Sequence, residues 1–285
     1  MSHTREVLVG APTFAEVTRP TIGSRPDECV VFVHGLGGNS TVFYPLQEVV
    51  AEHRTTVSVD LKGLGRSRTT LPRNFDDWVE QVLGAVAHAG RFDRLSLVGH
   101  SLGTLISRHV AARDPRVRVQ VLFGPVSAPG DAQRPQFEAR ASAAFSGGMA
   151  PVADGFGVAS LGSTTLRSAP LAVAMVREFL LGQDPAGYAA CCSLVGRAEE
   201  PGPPAHENCR TLLVYGREDP ICPEPSVRAL VEALDPTVAE TLALDGIGHW
   251  PTVEDLAASE QGLLRWLELA EEGTPLLDVS AASRG

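Results

Sequence analysis

The string Gly99-His100-Ser101-Leu102-Gly103 follows directly on the apolar run Leu95-Ser96-Leu97-Val98, and this juncture constrains the fold more than any other part of the chain. A serine at the tip of a strand-to-helix turn takes a strained backbone position. Glycines two residues to either side leave room for that turn against its neighbours. The juncture therefore reads as a nucleophile elbow. A Gly-x-Ser-x-Gly string alone arises by chance, so its context decides its meaning. Here a β-type run precedes it, and 102–112 follow with apolar residues at helical spacing until Asp114-Pro115 stops the helix.

Further short apolar runs occur at Val30-Val31-Phe32-Val33, Thr56-Val57-Ser58-Val59, Val119-Gln120-Val121-Leu122-Phe123 and Thr211-Leu212-Leu213-Val214-Tyr215, mostly with helical periodicity between them. This alternation predicts a mostly parallel twisted sheet flanked by helices. Val7-Leu8-Val9 and 13–17 supply an antiparallel hairpin at one edge, and 240–244 the last strand. The final helix is expected from about 253 to 270. Between 127 and 208 strand signals give way to short helical pieces rich in Ala, Gly and Pro, because a structureless stretch of that length is unusual in a compact domain. The expected organisation is a core of 1–126 and 209–272, a helical cap at 127–208 inserted between late strands, and a frayed tail at 273–285.

An exposed serine needs a base, usually a histidine oriented by a carboxylate, and in such sheets the chain order is serine, acid, histidine. The candidate base is His249, in Gly246-Ile247-Gly248-His249-Trp250-Pro251 just past the last strand. His206, the other downstream histidine, lies in a Pro-rich loop and reads as solvated. The acid is expected after a late strand, where Glu218 and Asp219 compete. Asp219 is preferred because its side chain is shorter and Pro220 restrains its backbone. The oxyanion donors are expected to be the backbone N–H of Leu102 and, in the turn His34-Gly35-Leu36-Gly37-Gly38, that of Leu36. This turn lacks the Lys-Ser/Thr ending of a phosphate loop and the third glycine of a dinucleotide fingerprint. In 60–67, Gly63 and Gly65 suit a turn, and Asp60 and Ser67 are expected to bond local backbone.

The formal charge of -10 opposes nucleic acid and anionic membranes as partners. No stretch approaches the roughly 18 apolar residues of a membrane span. The start, Met1-Ser2-His3-Thr4-Arg5-Glu6, has no cationic segment followed by a hydrophobic one, so the expected location is the cytoplasm. Five cysteines without metal-type spacing argue for reduced thiols, with no metal and no cofactor. The neighbours Cys191-Cys192 read as packing within a helix that begins near Asp184-Pro185.

Taken as an ordered set, 34–38, 60–67, 99–103, 216–223 and 248–250 resemble the α/β-hydrolase superfamily, from about 30 to 270. The segment 180–192 is similar to the corresponding segment of 3-oxoadipate enol-lactonases and related carboxylesterases. The resemblance implies an α/β-hydrolase fold and an esterase or lactonase acting on a small-molecule ester or lactone through Ser101, His249 and Asp219. It leaves room for a carbon–carbon bond hydrolase, for a lyase or cyclase using the same residues as a proton shuttle, and for a low-turnover ligand receptor. A serine at 101 argues against the dehalogenases and epoxide hydrolases of this fold, which use aspartate. A dianionic substrate would want a basic cluster in the cap, where only the scattered Arg134, Arg140, Arg167, Arg177 and Arg197 are available. A moderately apolar substrate is therefore expected.

Overall fold

The runs rich in Val, Leu and Thr form strands because β-branched and aliphatic side chains suit positions buried on both faces of a sheet. A computed structural model describes residues 3–8, 13–20, 25–235 and 237–272. Among them are strands β1 (His3–Val7), β2 (Ala15–Pro20), β3 (Arg25–Val33), β4 (Arg54–Val59), β5 (Arg94–His100), β6 (Val117–Phe123), β7 (Arg210–Gly216) and β8 (Ala239–Leu244). They form one sheet in the order β1-β2-β4-β3-β5-β6-β7-β8. The pairs β1–β2 and β2–β4 are antiparallel and the others parallel. Helices α1 (Tyr44–Val50), α2 (Asp76–Ala89) and α3 (Leu102–Ala111) connect the first strands and pack on the sheet.

The segment between β6 and β7 is helical throughout its middle: α4 (Arg134–Gly147), a π-helical turn (Val152–Gly157), α5 (Ser163–Ser168), α6 (Pro170–Leu181) and α7 (Pro185–Val195). Helix α4 packs on α7, and α6 on the π-helical turn. Asp184 caps α7 by accepting from Gly187 N at 2.8 Å, with Pro185 in the first turn where no N–H is needed. All five cysteines are free and buried. Burial pushes the Cys191 thiol up strongly and that of Cys192 to about 11, so both serve as packing groups. After β7 come α8 (Glu224–Leu234), α9 (Pro251–Glu254) and α10 (Leu256–Glu272).

Two expectations are corrected. The first strand of the edge hairpin is His3–Val7 rather than 7–9, and Val9 lies outside the described residues. Its polar, outward-facing sequence carries no apolar run by which to find it. The single final helix from 253 to 270 is two helices, because Asp255 leaves helical geometry and caps the second by accepting from Ala258 N at 3.0 Å. The expected tail 273–285 lies outside the described residues.

The close approach of α3 to the sheet depends on glycine. A Cβ at Gly103 would overlap the carbonyl of Val33 on β3 and lie 2.8 Å from that of His34. Gly103→Ala is therefore expected to push α3 off the sheet and cost at least about 1–3 kcal/mol, read as a lower urea midpoint at unchanged slope.

Candidate active site

Ser101 sits between the end of β5 and the start of α3 with φ 52° and ψ -120°, in the left-handed half of conformational space that side chains rarely occupy. Its backbone is held from both sides. Ser101 N donates to Phe123 O at 3.0 Å, and Ser101 O accepts from Thr104 N at 2.8 Å and Thr104 Oγ1 at 2.7 Å. The flanking glycines make the turn possible: a Cβ at Gly99 would lie 2.6 Å from Gly103 O, and one at Gly35 2.9 Å from Ser101 Cβ.

His249 reaches Ser101 from the loop after β8. The Ser101 hydroxyl donates to Nε2 at 2.8 Å, and Nδ1–H donates to Asp219 Oδ2 at 2.7 Å. This arrangement fixes the tautomer that leaves Nε2 free to take a proton. Asp219 is buried after β7, and its other oxygen accepts from Ile221 N at 2.7 Å and Cys222 N at 3.0 Å. Burial alone would raise its carboxyl, but His249 and these two amides carry it below the ordinary aspartate range. Glu218, the rejected carboxylate, points elsewhere and accepts from Ser163 N at 2.6 Å and Ser163 Oγ at 2.9 Å. His206 accepts from Asn208 N at 3.1 Å in its own loop.

Leu36 and Leu102 both line a cavity of ≈ 600 Å³ together with Ser101 and His249. Among the described residues neither amide meets an acceptor. The turn carrying Leu36 is pinned by His34, whose Nε2 accepts from Leu61 N at 2.9 Å while Nδ1–H donates to Gly35 O at 2.8 Å. Asp60, fully buried, accepts from Ser40 N and Arg66 N, each at 2.8 Å, so it holds two loops together. The Ser67 hydroxyl accepts not from its own turn but from Phe14 N, at 2.8 Å, while its backbone accepts from Gly63 N and donates to Leu64 O within the turn.

Sequence reasoning overlooked Glu254. One of its oxygens accepts from Gly248 N at 3.1 Å and Trp250 N at 3.0 Å, on either side of His249. The other accepts from Gly162 N and Thr165 Oγ1, each at 2.7 Å. His249 N itself donates to Ser160 O at 2.7 Å, and Trp250 Nε1 to Ser160 Oγ at 3.0 Å. The histidine loop is thus tied to the helical segment between β6 and β7. The spacing of Glu254 from His249 is visible in the sequence, but its partners at 162 and 165 are not.

His100, beside the serine, donates Nε2–H to His249 O at 2.8 Å and is buried. Burial first, then the neighbouring His249, lowers it from 6.5 to about 3. Between these values the unfolded chain binds a proton at this residue that the folded chain does not, so stability rises with pH and is lost as pH falls below about 6.5. The urea midpoint is expected to drop from about pH 7 to 5, and the drop to be smaller in His100→Asn, whose side chain does not titrate.

Among the described residues no group of three or more potential metal ligands converges, and no helix is long and apolar enough to cross a membrane.

The sequence profile of the alpha/beta hydrolase family matches residues 30–259. The pimeloyl-[acyl-carrier protein] methyl ester esterase of Chromobacterium violaceum is 30% identical over 227 residues, 76% of this chain and 85% of that protein. The 3-oxoadipate enol-lactonase 2 of Acinetobacter baylyi is 22% identical over 86% of this chain and 88% of that protein. Five other curated relatives, 30–35% identical, are matched over only about a third of their length, 31–38%. The structure of a thermophilic esterase from Thermogutta terrifontis superposes with a TM-score of 0.78 at 20% identity, covering 95% of this chain and 99% of that one. At that identity the likeness concerns the fold.

Proposed function

Because the chain belongs to the alpha/beta hydrolase family, we propose that it is a serine hydrolase that cleaves a carboxylic ester or lactone through an acyl-enzyme. The observation that carries this reading is the chain of hydrogen bonds from Ser101 Oγ through His249 to Asp219, at 2.8 and 2.7 Å, on the wall of a cavity. The two relatives matched over most of their length are named an esterase and an enol-lactonase, and this favours carbon–oxygen bonds.

In this mechanism Ser101 Oγ attacks the carbonyl carbon as its proton passes to His249 Nε2. The oxyanion takes hydrogen bonds from the amides of Leu36 and Leu102, which meet no other acceptor among the described residues. Collapse of the tetrahedral intermediate breaks the ester C–O bond, and His249 returns the proton to the departing oxygen. Water then attacks the acyl-enzyme by the same route, with His249 as base, and frees the acid and Ser101. Asp219 keeps the ring oriented and stabilises the imidazolium without becoming protonated. The helices between β6 and β7 act as a cap over the site, and of its larger side chains Phe137 and Phe156 line the cavity.

Incubation with a fluorophosphonate, followed by intact mass, tests the reading together with release of p-nitrophenol from short and medium acyl esters. One adduct on the wild type, none on Ser101→Ala, and ester turnover by the wild type are expected. Absence of labelling in folded protein would overturn the activated serine and bring the receptor or proton-shuttle reading forward. Glu254 is expected to act by positioning His249. Glu254→Gln then lowers kcat for such esters by roughly tenfold with KM nearly unchanged, because a small displacement of the base costs rate rather than binding.

A further inference from the structure

Four of the five arginines of the segment between β6 and β7 have acidic company. Arg134 pairs with Asp131 at 3.3 Å, Arg177 with Asp154 at 2.6 Å and Arg197 with Glu138 at 3.6 Å, while Arg167 acts on Glu218. Arg140 differs. It lines the cavity that holds Ser101, and among the described residues no carboxylate pairs with it. Among the described residues, no Asp or Glu lines that cavity. The guanidinium carbon stands 3.7 Å from the centre of the Phe156 ring and 5.4 Å from that of Phe137. It acts on the Tyr188 phenol through its charge and a side-chain N–H, and on the Cys192 thiol through its charge, opposing the larger upward effect of burial on each and leaving its other N–H groups uncommitted to any carboxylate.

A guanidinium lying against an aromatic face keeps its in-plane N–H edge free, and that edge matches two oxygens of a planar acceptor. An apolar wall raises the value of such a pairing, because the alternative partner, water, is partly excluded. We propose that Arg140 anchors a single carboxylate carried by the substrate, so that the enzyme takes monoanionic esters or lactones in preference to neutral ones. The proposal rests on the serine-hydrolase reading and names the substrate class of that site. A phosphate monoester, with its second charge, finds no second arginine or lysine among the described residues of the cavity wall, which disfavours it.

Two matched pairs of esters test the proposal: monomethyl adipate against methyl hexanoate, with the carboxylate in the acid portion, and acetoxyhexanoate against hexyl acetate, with it in the alcohol portion. In the wild type, kcat/KM for the charged member of at least one pair is expected to exceed that of the neutral member by about ten- to one-hundredfold. In Arg140→Gln that ratio falls to about one, and in Arg140→Lys it is intermediate. Each ratio is taken within one protein, so any loss of folded enzyme cancels. A wild-type ratio near one in both pairs, or a preference that survives in Arg140→Gln, would overturn the anchor. Calorimetry decides the same point without turnover. Hexanoate is expected to bind Ser101→Ala at least about tenfold more tightly than Ser101→Ala/Arg140→Gln, while hexanamide binds the two alike. If no ester is hydrolysed, the function fails but the hexanoate comparison still upholds or overturns the anchor.

Discussion

His249→Ala is expected to reduce kcat/KM for p-nitrophenyl esters by about 10⁴ to 10⁶-fold while the protein stays folded by circular dichroism. The size follows from what a single side chain does here. Its Nε2 accepts from Ser101 Oγ at 2.8 Å, so removing the ring removes the base that makes the hydroxyl a nucleophile and the acid that protonates the departing oxygen. What survives is the contribution of the two oxyanion amides and of binding. Folding is expected to survive because the loop is held chiefly through its backbone: His249 N donates to Ser160 O, and the amides of Gly248 and Trp250 to Glu254, none of which needs the imidazole. The substitution also leaves Asp219 buried without its ring partner, still accepting from Ile221 N and Cys222 N. A modest loss of stability, on the order of 1–3 kcal/mol, is therefore expected beside the collapse in rate. Retention of more than about a hundredth of the activity would remove His249 from the role of base.

The strands at the centre of the sheet were readable because burial on both faces favours apolar runs, and Val30-Val31-Phe32-Val33 of β3, each residue buried, is of that kind. The juncture at Ser101 was readable for a related reason, since only glycine fits where α3 lies against β3. Strand β1 left no such mark, because an edge strand facing water has no need of an apolar pattern. The break at Asp255 was present in the sequence as an aspartate able to cap a helix, but the apolar periodicity running through it masked the signal. Glu254 and Arg140 were beyond reach for a different reason. The meaning of each depends on groups distant in sequence: Gly162 and Thr165 in one case, and in the other the absence of a carboxylate from a cavity wall that only the folded chain defines.

Asp219→Asn is expected to lower kcat by about 10³ to 10⁴-fold, whereas Glu218→Gln, one residue away, changes it by no more than about twofold. The contrast arises from tautomers. The carboxylate of Asp219 accepts Nδ1–H at 2.7 Å and so leaves Nε2 unprotonated toward Ser101. An asparagine carbonyl still satisfies the amides of Ile221 and Cys222, but its NH₂ then turns toward the ring and requires Nδ1 to accept. The proton moves to Nε2, and the histidine can no longer take one from the serine. KM is expected to change little, because Asp219 is buried and absent from the cavity wall. Since the carboxyl of Asp219 lies below the ordinary aspartate range, its contribution to stability is present above that range and is lost only as pH falls through the lowered value. The aspartate is thus ionised throughout the neutral range. Glu218, by contrast, is exposed and accepts from Ser163 N and Oγ through its two oxygens, and a glutamine keeps an oxygen for Ser163 N while its NH₂ donates to Ser163 Oγ. Steady-state rates of the two variants on one ester, at several pH values, decide the matter. The reverse ranking would transfer the orienting role from Asp219 to Glu218, and equal small losses would remove a carboxylate from the mechanism.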